Sequence, residues 1–562
     1  MDGSAPVPDA RGDDLIARHA ATLEAAIDAV RTRRSWSPFS DSPSTKIHGV
    51  EKPPAGRAAF EARLDTHYDL GQPGVVGEAG AEVSPFTGKA LGVRYPVCDP
   101  EALIAASVHA MGEWRKTGFE LRLAVCLEMA TRIYDRNFEM VHAVMHVTGQ
   151  SYTQAFSGSG PNALDRGIEA IAYAAKAMRD VTPAADYHRK FAGESVDLRK
   201  TYTLVPRGVG LVICCASFPT WNAYPAMFAS LATGNPVIVK PHPIAILPMA
   251  IAVETCRTVL AENGFDPNLV TLAVDTLEEP VAMRFIDHPD VQIVDFTGSP
   301  RFGGYLERTI TGKLLFTETA GVNTIVIDSV ADVEAVARAI ARSTSLFSAQ
   351  MCTSPQVVYI APPLFEELSN AIVGQIDAIA ADPALAAGIM GAIQGEVSMT
   401  VVVETRAAVE DLLGARVLRE AAPYAHPQFP NARTMTPLVL ALEGGDHQDL
   451  YAEERFGPVL FLVSRDPEEA VLEATRLAKT KGSISSYLYS TDEAFINRAA
   501  PAYEAAGANL SINLTGAMWI NFAAAYSDFH VTGLNPAGNA CLADLAFVAS
   551  RFRIVQRRRP IG

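Results

Sequence analysis

A cysteine past the middle of the chain stands in a pattern typical of thiol catalysis. Cys352 precedes a β-branched, apolar run at 356–360, and Glu318 lies 34 residues before it. A glycine-framed segment at 296–303 comes earlier still. A thiolate can attack an electrophilic carbon, a carboxylate can act as a general base, and a glycine loop lets a phosphate approach the backbone. The order of the three therefore indicates a nucleophile, a base and a phosphate loop.

Each of these features also has an ordinary structural explanation. A cysteine in an apolar context is an inert core residue roughly ten times as often as it is a nucleophile. A glycine pair at this spacing is common by chance, and a single glutamate is usually solvated. The functional interpretation therefore depends on the ordered set and not on any one residue.

The composition indicates an ordinary soluble protein of several domains. The 562 residues are 49% hydrophobic and 20% charged, with a net charge of −16. This length predicts two to four domains with ample core. The negative charge argues against a nucleic-acid partner and against binding to an anionic membrane. No apolar run approaches the roughly 20 residues of a membrane span, so no membrane association is expected.

The cysteine and histidine patterns suggest neither disulfides nor a metal. The seven cysteines are irregularly spaced and form no CxxC, so the sequence suggests neither a disulfide framework nor a zinc ribbon. His142 and His146 could share one helix face, but no third ligand accompanies them, so no metal site is expected. The start of the chain lacks a signal-peptide pattern. A reduced, cytoplasmic protein is the interpretation.

Local patterns predict an extension followed by an α/β protein. Residues 13–34 form one amphipathic helix by their spacing, and residues 35–54 are irregular, so residues 1–77 are interpreted as a packing arm. Short β-branched runs then alternate with helical stretches, which is typical of doubly wound parallel sheets. The polar segment 182–200 interrupts the alternation, as an inserted arm or hairpin would. The predicted strands are 201–205, 209–215, 237–239, 269–274, 291–296 and 324–327.

An ordered set of motifs resembles the aldehyde dehydrogenase superfamily from about residue 80 to 550. The matching segments are SPFTGK at 84–89, ATGNPVIVKP at 232–241, FTGSPRFG at 296–303, ETAG at 318–321, QMC at 350–352 and EERFGPV at 453–459. The long extension, with WSPF at 36–39, most resembles PaaN-type phenylacetate-degradation proteins.

The resemblance implies an α/β fold with a Rossmann-like cofactor domain, an α/β catalytic domain and a β oligomerisation arm. The expected divisions are an N-terminal extension at 1–77, a cofactor-binding domain at 78–316 with an arm insertion at about 182–205, a catalytic domain at 317–530 and a C-terminal arm segment at 531–562. Family members usually form dimers or tetramers, so a homodimer or homotetramer is expected. The alternating segment 550–556 suits an edge strand of the arm.

The resemblance also implies roles for particular residues. Cys352 would attack an aldehyde, hydride would pass to NADP or NAD, and Glu318 would activate the water that hydrolyses the thioester. The expected cofactor-binding residues are Lys240 at the ribose, Gly298, Ser299 and Gly303 at the pyrophosphate, and Glu454 and Phe456 at the nicotinamide ribose.

Two departures from the family pattern bear on the chemistry. Counting back from Lys240 places Ser217 where the family's oxyanion-binding Asn stands, with Asn222 five residues further on. Ser217 is therefore the expected oxyanion neighbour, with the backbone N–H of Cys352 as the main donor. Pro243 occupies the place of the glutamate that binds the ribose 2′-hydroxyl of NAD, which favours NADP over NAD.

Three functional interpretations remain open at this stage. The first is hydrolytic oxidation of an aldehyde to a carboxylic acid, with a semialdehyde of phenylacetate or aromatic catabolism as a substrate suggested by the resemblance alone. The second is a CoA-acylating aldehyde dehydrogenase, against which Glu318 argues. The third is a non-catalytic binding protein on the same fold. Ser217 favours this last interpretation, and the retention of Cys352 and Glu318 opposes it.

Overall fold

The computed structural model describes residues 10–319, 321–410, 412–444, 447–516, 524–529 and 544–561. The helices are α1 (Ala10–Thr32), α2 (Thr45–His48), α3 (Lys52–Glu61), α4 (Pro100–Trp114), α5 (Phe119–Asp135), α6 (Asn137–Thr148), α7 (Tyr152–Ser157), α8 (Pro161–Arg179), α9 (Ala223–Ala232), α10 (Leu247–Glu262), α11 (Ala282–Asp287), α12 (Pro300–Thr309), α13 (Val333–Ser345), α14 (Phe365–Ala381), α15 (Pro383–Met390), α16 (Glu396–Ala408), α17 (Gln448–Tyr451), α18 (Pro467–Lys481), α19 (Glu493–Ala506) and α20 (Leu545–Ala549). The strands are β1 (Val75–Ala79), β2 (Tyr95–Cys98), β3 (Ala184–Phe191), β4 (Glu194–Pro206), β5 (Val209–Ile213), β6 (Val237–Lys240), β7 (Val270–Leu272), β8 (Val291–Gly298), β9 (Leu314–Thr319), β10 (Asn323–Ile327), β11 (Pro355–Ile360), β12 (Ala415–Arg419), β13 (Leu438–Glu443), β14 (Val459–Ser464), β15 (Ser486–Tyr489), β16 (Leu510–Ile512) and β17 (Phe552–Pro560).

The first large sheet has five parallel strands in the order β7-β6-β5-β8-β9. Strands β5, β6 and β7 are buried throughout, which is why they appear in the sequence as continuous β-branched runs. The chain moves outward from β5 to β7 and then returns to β8. This reversal creates a crevice at the carboxyl ends of β5 and β8, where open α/β sheets bind ligands.

The second large sheet has seven strands in the order β12-β13-β14-β11-β10-β15-β16. Its strands are parallel except β12, which pairs antiparallel with β13 at the edge. The alternating pattern alone predicted parallel strands, and β12 departs from it because residues 420–437, which join it to β13, contain no crossover helix. Apart from this edge, the predicted doubly wound α/β architecture is confirmed.

A smaller sheet projects from the body of the molecule. Strands β3 and β4 form an exposed hairpin, and β17 from the C-terminal region pairs antiparallel with β4. The interruption predicted at 182–200 and the C-terminal edge strand are therefore both present. One expected boundary lies elsewhere: β9 runs across the division placed at 316/317 and belongs to the five-stranded sheet.

The N-terminal extension packs onto the body through both apolar and polar contacts. Helix α1 lies against α5 and α8. Beyond it, the Phe39 ring stacks on Tyr134 with centroids 4.4 Å apart, and the Ser40 N–H donates to the Tyr134 hydroxyl oxygen at 3.0 Å. The Ser37 hydroxyl donates to Asp165 at 2.8 Å. These contacts hold the start of the irregular segment in one place.

Two further findings concern the described residues only. No single helix among them is long and apolar enough to cross a membrane, and one sharply bent pair, Pro362–Ala381 with Pro383–Met390, meets that test by length and composition alone. No group of three or more His, Cys, Asp or Glu side chains among them is arranged to hold a metal. His146 instead bonds the Ser84 hydroxyl at 2.8 Å and stacks on Phe60.

Candidate active site

A cavity of about 900 Å³ runs along the carboxyl ends of the five parallel strands and faces the loop before β11. Most of the predicted site residues line it: Cys352, Glu318, Ser217, Lys240, Gly298, Ser299, Glu454 and Phe456. Gly303 does not line it. Its position on α12 leaves no room for a side chain, because a Cβ there would lie 2.5 Å from Thr319 Cγ2 of β9.

The loop that carries the cysteine has an unusual backbone. Phe347, Ser348 and Ala349 have φ values of 49°, 49° and 53°, in the left-handed region. Each non-glycine residue there costs about 1–2 kcal/mol, so the surrounding contacts must hold the turn in place. Ser348 does so by directing its hydroxyl to the carbonyl oxygens of Met390 and Met435, both at 3.3 Å.

Gln350, two residues before the cysteine, fastens this turn to its neighbours. Its Nε2 donates to the carbonyl oxygens of Phe347 and Ala392, both at 3.1 Å. Its Oε1 accepts from the backbone N–H of Gln394 at 2.9 Å. The side chain is buried and fully engaged, so the glutamine of the QMC motif positions the cysteine loop and leaves the chemistry to other groups.

The thiol of Cys352 is half-buried in the cavity wall. Burial raises its pKa well above the ordinary value, and the nearby Glu318 carboxylate raises the pKa further. Cys215 and Glu454 act in the same direction. Only its own backbone N–H, within hydrogen-bonding reach of the sulfur, opposes the shift. In the protein alone the thiol therefore keeps its proton at neutral pH, and an adjacent base is needed to release it.

Glu318 lies near the end of β9, in register with Thr297 of β8, and its side chain is buried. The glycine of the ETAG motif explains how the strand reaches this position. A Cβ at Gly321 would lie 2.1 Å from the carbonyl oxygen of Gly482, so only glycine permits this close approach of two backbones. The five-stranded sheet thus places the Glu318 carboxylate near the Cys352 thiol.

Ser217 and Asn222 both line the cavity. The Ser217 hydroxyl interacts with the Cys215 thiol, and its backbone carbonyl oxygen accepts from Gln150 Nε2 at 2.9 Å. Asn222 is buried at the start of α9, and its Oδ1 has no hydrogen-bond partner among the described residues. Two polar side chains of this segment thus face the cavity, the Ser217 that the sequence predicted and Asn222.

The segment after β8 forms a helix N-terminus that opens on the cavity. Ser299 caps α12 by accepting the backbone N–H of Phe302 at 3.3 Å, and Pro300 begins the helix. Gly298 and Ser299 both line the cavity. A ten-residue helix presents unpaired N–H groups and a positive dipole end at this point, which suits a phosphate.

Lys240, at the end of β6, makes a buried ion pair that the sequence did not predict. Its Nζ lies 2.6 Å from Oδ1 of Asp275, which follows β7 on the neighbouring strand. Asp275 Oδ2 accepts the backbone N–H of Val281 at 3.0 Å, so the carboxylate is held in place. Both side chains line the cavity. Position 243 offers no carboxylate, as the sequence indicated, and the adjacent strand supplies one beside Lys240 instead.

Glu454 and Phe456 are held beside the cysteine by a glutamine on β11. Gln356 Nε2 donates to the carbonyl oxygens of Tyr451 and Glu453 at 2.9 and 2.7 Å, and its Oε1 accepts the Arg455 N–H at 2.6 Å. Burial raises the pKa of Glu454 to about 8. This carboxyl group therefore ionises near physiological pH.

Three residues of the site escaped the sequence interpretation. Asp275 directly follows the buried run 269–274, and an acidic residue after a parallel strand is a signal that could have been used. Gln356 is a polar residue inside a buried strand, which indicates an anchored loop. Asp41 of the N-terminal extension also lines the cavity, and no local pattern indicated it. The extension is therefore part of the wall as well as a packing arm.

The cavity fits a dinucleotide together with a small substrate. Its volume is in the upper part of the range for ligand pockets. A helix N-terminus lies between a Lys–Asp pair at one end and a thiol with two carboxyl groups at the other. Such an arrangement can hold a pyrophosphate centrally, a ribose at the outer strands and a reactive ring near the thiol.

Comparisons with known proteins agree with this geometry. The model of the aldehyde dehydrogenase family matches residues 78–523. The crystal structure of an NAD-dependent aldehyde dehydrogenase from Burkholderia multivorans has a TM-score of 0.93 and 42% identity, covering 98% of this chain and 99% of that one. A 1-pyrroline-5-carboxylate dehydrogenase from Thermus with bound NAD has a TM-score of 0.73, covering 94% of this chain and 100% of its own. At 18% identity it supports the fold alone.

Two relatives are more distant in sequence. The 4-trimethylaminobutyraldehyde dehydrogenase B of Danio rerio is 27% identical over 408 residues, which cover 69% of this chain and 73% of that protein. The 1-pyrroline-5-carboxylate dehydrogenase 2 of Bacillus subtilis is 26% identical over 286 residues, which cover 49% of this chain and about half, 52%, of that protein.

The fold and the family match define an oxidoreductase with a nicotinamide dinucleotide cofactor. The chain belongs to the aldehyde dehydrogenase family, a class of NAD(P)-dependent enzymes. The family, the fold class and the enzyme class expected from the sequence are confirmed.

Proposed function

We propose that this protein oxidises an aldehyde to a carboxylic acid with NAD(P) as hydride acceptor, through a thioester on Cys352. The observation that carries the proposal is electrostatic and spatial. Cys352 and Glu318 line one cavity, and the thiol is close enough to the buried carboxylate for its pKa to be raised by it. A thiol and a carboxylate in one cavity supply the nucleophile and the hydrolytic base that a thioester route needs.

The first half of the reaction is addition and oxidation. The Cys352 thiol loses its proton to a neighbouring carboxylate, and its sulfur bonds to the aldehyde carbon. The carbonyl oxygen becomes an oxyanion, which the Cys352 N–H and the Ser217 hydroxyl would stabilise. The bound nicotinamide supplies a hydride acceptor. Loss of hydride from the former aldehyde carbon converts the thiohemiacetal on Cys352 to a thioester.

The second half is hydrolysis. Glu318 accepts a proton from a water molecule, whose oxygen attacks the thioester carbon. The C–S bond breaks, the carboxylic acid leaves, and the thiolate of Cys352 recovers its proton. Lys240 would hold a cofactor ribose, Gly298 and Ser299 the pyrophosphate, and Glu454 and Phe456 the nicotinamide ribose. Gly303 would contribute by letting α12 lie against β9.

The finer assignments are also proposals. The motif order and the long extension support a semialdehyde of aromatic or phenylacetate catabolism as substrate and a PaaN-type protein. The named relatives act on a trimethylamino aldehyde or belong to pyrroline-5-carboxylate metabolism, so a charged or polar chain beside the aldehyde is a reasonable alternative. The same grounds support the domain divisions given above, with the boundary at 316/317 moved past β9.

Assembly and location are proposed on separate grounds. The exposed β3–β4–β17 sheet supports a homodimer or homotetramer through this arm. The cysteines of the described residues are free, which supports a reducing cytoplasm. Size-exclusion chromatography with light scattering would give the mass of the assembly.

One experiment tests the reaction. The purified protein is given a panel of neutral aromatic aldehydes, anionic semialdehydes, cationic aldehydes and CoA-linked semialdehydes, with NAD+ or NADP+, while absorbance at the reduced-nicotinamide band is followed. Hydrolytic oxidation produces a free acid without added CoA. If steady turnover requires CoA and yields an acyl-CoA, the acylating alternative replaces the proposal. No reduced nicotinamide with any aldehyde would favour the binding-protein alternative.

A further inference from the structure

The buried Lys240–Asp275 pair lies at one end of the row of strands that forms the cavity floor. In the sheet order β7-β6-β5-β8-β9, Asp275 follows β7 and Lys240 ends β6. Glu318 lies on β9 at the opposite edge, beside the reactive thiol. A dinucleotide whose nicotinamide meets Cys352 and whose pyrophosphate meets α12 must therefore bring its adenosine ribose to the Lys–Asp pair.

The two side chains are suited to one hydroxyl group. Asp275 Oδ1 has no hydrogen-bond partner among the described residues beyond the ion pair with Lys240, and its side chain is only 1% exposed. A ribose 2′-hydroxyl is at once a donor and an acceptor. It can donate to the aspartate oxygen and accept from the lysine ammonium, which satisfies both buried groups.

A 2′-phosphate would find a poorer partner in the same place. Lys240 is the only Lys or Arg among the described residues that line the cavity, and Asp275 already neutralises it. His242 also lines the wall, but burial, reinforced by Lys240, lowers the pKa of its imidazole to about 4, so it is neutral at physiological pH. Arg301 does not line the cavity. A phosphate dianion would thus face a carboxylate without a free cation.

From this arrangement we propose that Asp275 selects NAD over NADP by accepting a hydrogen bond from the 2′-hydroxyl of the adenosine ribose. The inference rests on the proposed function, since it needs a nicotinamide dinucleotide in this cavity. Asp275 takes the part that a glutamate at the position of Pro243 would play in the family pattern. It follows the neighbouring strand β7, 35 residues after Lys240 along the chain.

The test measures cofactor binding directly, without aldehyde. Dissociation constants for NADH and NADPH are determined by fluorescence titration and calorimetry on the full-length protein. The variants are Asp275→Asn and Asp275→Ser, with Glu278→Gln as matched control. Glu278 carries the same charge, is exposed in the same loop and does not line the cavity. Circular dichroism and thermal unfolding establish that each variant is folded.

The wild-type protein and the control are expected to bind NADH at least about tenfold more tightly than NADPH. Asp275→Asn and Asp275→Ser should reduce that ratio to threefold or less. Both variants remove the carboxylate that accepts from the 2′-hydroxyl of NADH and repels the 2′-phosphate of NADPH. Equal binding of the two cofactors by the wild type overturns the inference, as does an unchanged ratio in a folded variant. Absence of binding to either cofactor overturns the proposed function itself.

Discussion

Asn323 donates through its Nδ2 to the carbonyl oxygen of Cys352 at 2.7 Å and to that of Ser354 at 3.0 Å. Its Oδ1 accepts the backbone N–H groups of Ile484 and Ser485, both at 3.0 Å. One buried amide at the start of β10 therefore joins the Cys352 loop to the segment before β15. The backbone of the Cys352 loop is thus held by a residue of the seven-stranded sheet, while Cys352 itself lines the cavity.

Replacing the nucleophile should separate binding from chemistry. Cys352→Ala is expected to abolish turnover and leave the dissociation constant for NADH nearly unchanged, because the sulfur bonds only to the substrate. Turnover is followed by nicotinamide absorbance, and the trapped thioester is mapped by mass spectrometry. Cys215→Ala is the matched control, since that thiol lines the same cavity. A thioester mapped to Cys215 would contradict the assignment.

Removing the base should affect the second half-reaction most. Glu318→Gln is expected to release about one equivalent of reduced nicotinamide per site in a rapid burst, followed by turnover slowed by about 10²–10⁴-fold. Stopped-flow absorbance measures both phases. Steady turnover at the wild-type rate would exclude Glu318 as the hydrolytic base. A burst that is itself lost would show instead that Glu318 is needed for addition to the aldehyde.

The two polar candidates for the oxyanion donor, Ser217 and Asn222, can be distinguished by paired variants. If the Ser217 hydroxyl stabilises the oxyanion, Ser217→Ala lowers kcat by up to about 10²–10³-fold, and Asn222→Ala has a smaller effect. Single-turnover hydride transfer is the measurement, because oxyanion stabilisation acts before the thioester forms. A larger loss in Asn222→Ala would assign the donor to the start of α9 and leave Ser217 as a partner of Cys215.

The thiol should become more acidic when a neighbouring negative charge is removed. Glu454 raises the pKa of Cys352, so Glu454→Gln is expected to shift the pH profile of iodoacetamide labelling at Cys352 to lower pH. Labelling is quantified on the Cys352 peptide by mass spectrometry. Glu453→Gln, which changes an exposed neighbour paired with Lys481, is the control and should leave the profile unchanged. A shift to higher pH in Glu454→Gln would contradict this electrostatic account.

Glu454 should also make the stability of the fold depend on pH. Burial raises its pKa from 4.5 to about 8, so between these values the folded protein keeps a proton that the unfolded chain releases. Its contribution is fully present below about 4.5 and is lost as pH rises through about 8. The Tm of Glu454→Gln minus that of the wild type should therefore increase from pH 5 to pH 8 and then level off. A difference independent of pH would mean that the carboxyl group is solvated.

The sequence by itself determined most of the strands and helices and the order of the candidate catalytic residues along the chain. Buried β-branched runs that alternate with helices predict parallel strands. Parallel strands need a crossover connection, usually a helix, and these helices cover both faces of the sheet. Cys352, Glu318 and Lys240 could be predicted as site residues because each lies in a short motif of consecutive residues, which the sequence shows directly. The inserted hairpin and the C-terminal strand were likewise visible in their alternation.

Only the tertiary structure decided which groups meet. Asp275 lies beside Lys240 because β6 and β7 are neighbours in the sheet, and no local pattern specifies strand order. Asp41 joins the cavity wall through contacts of the extension with residues about 90 to 130 positions away, such as Tyr134 and Asp165. Pairings of this kind depend on how non-local surfaces pack together. The cofactor preference predicted from Pro243 alone and the one proposed from the Lys240–Asp275 pair therefore differ, and the NADH and NADPH titrations decide between them.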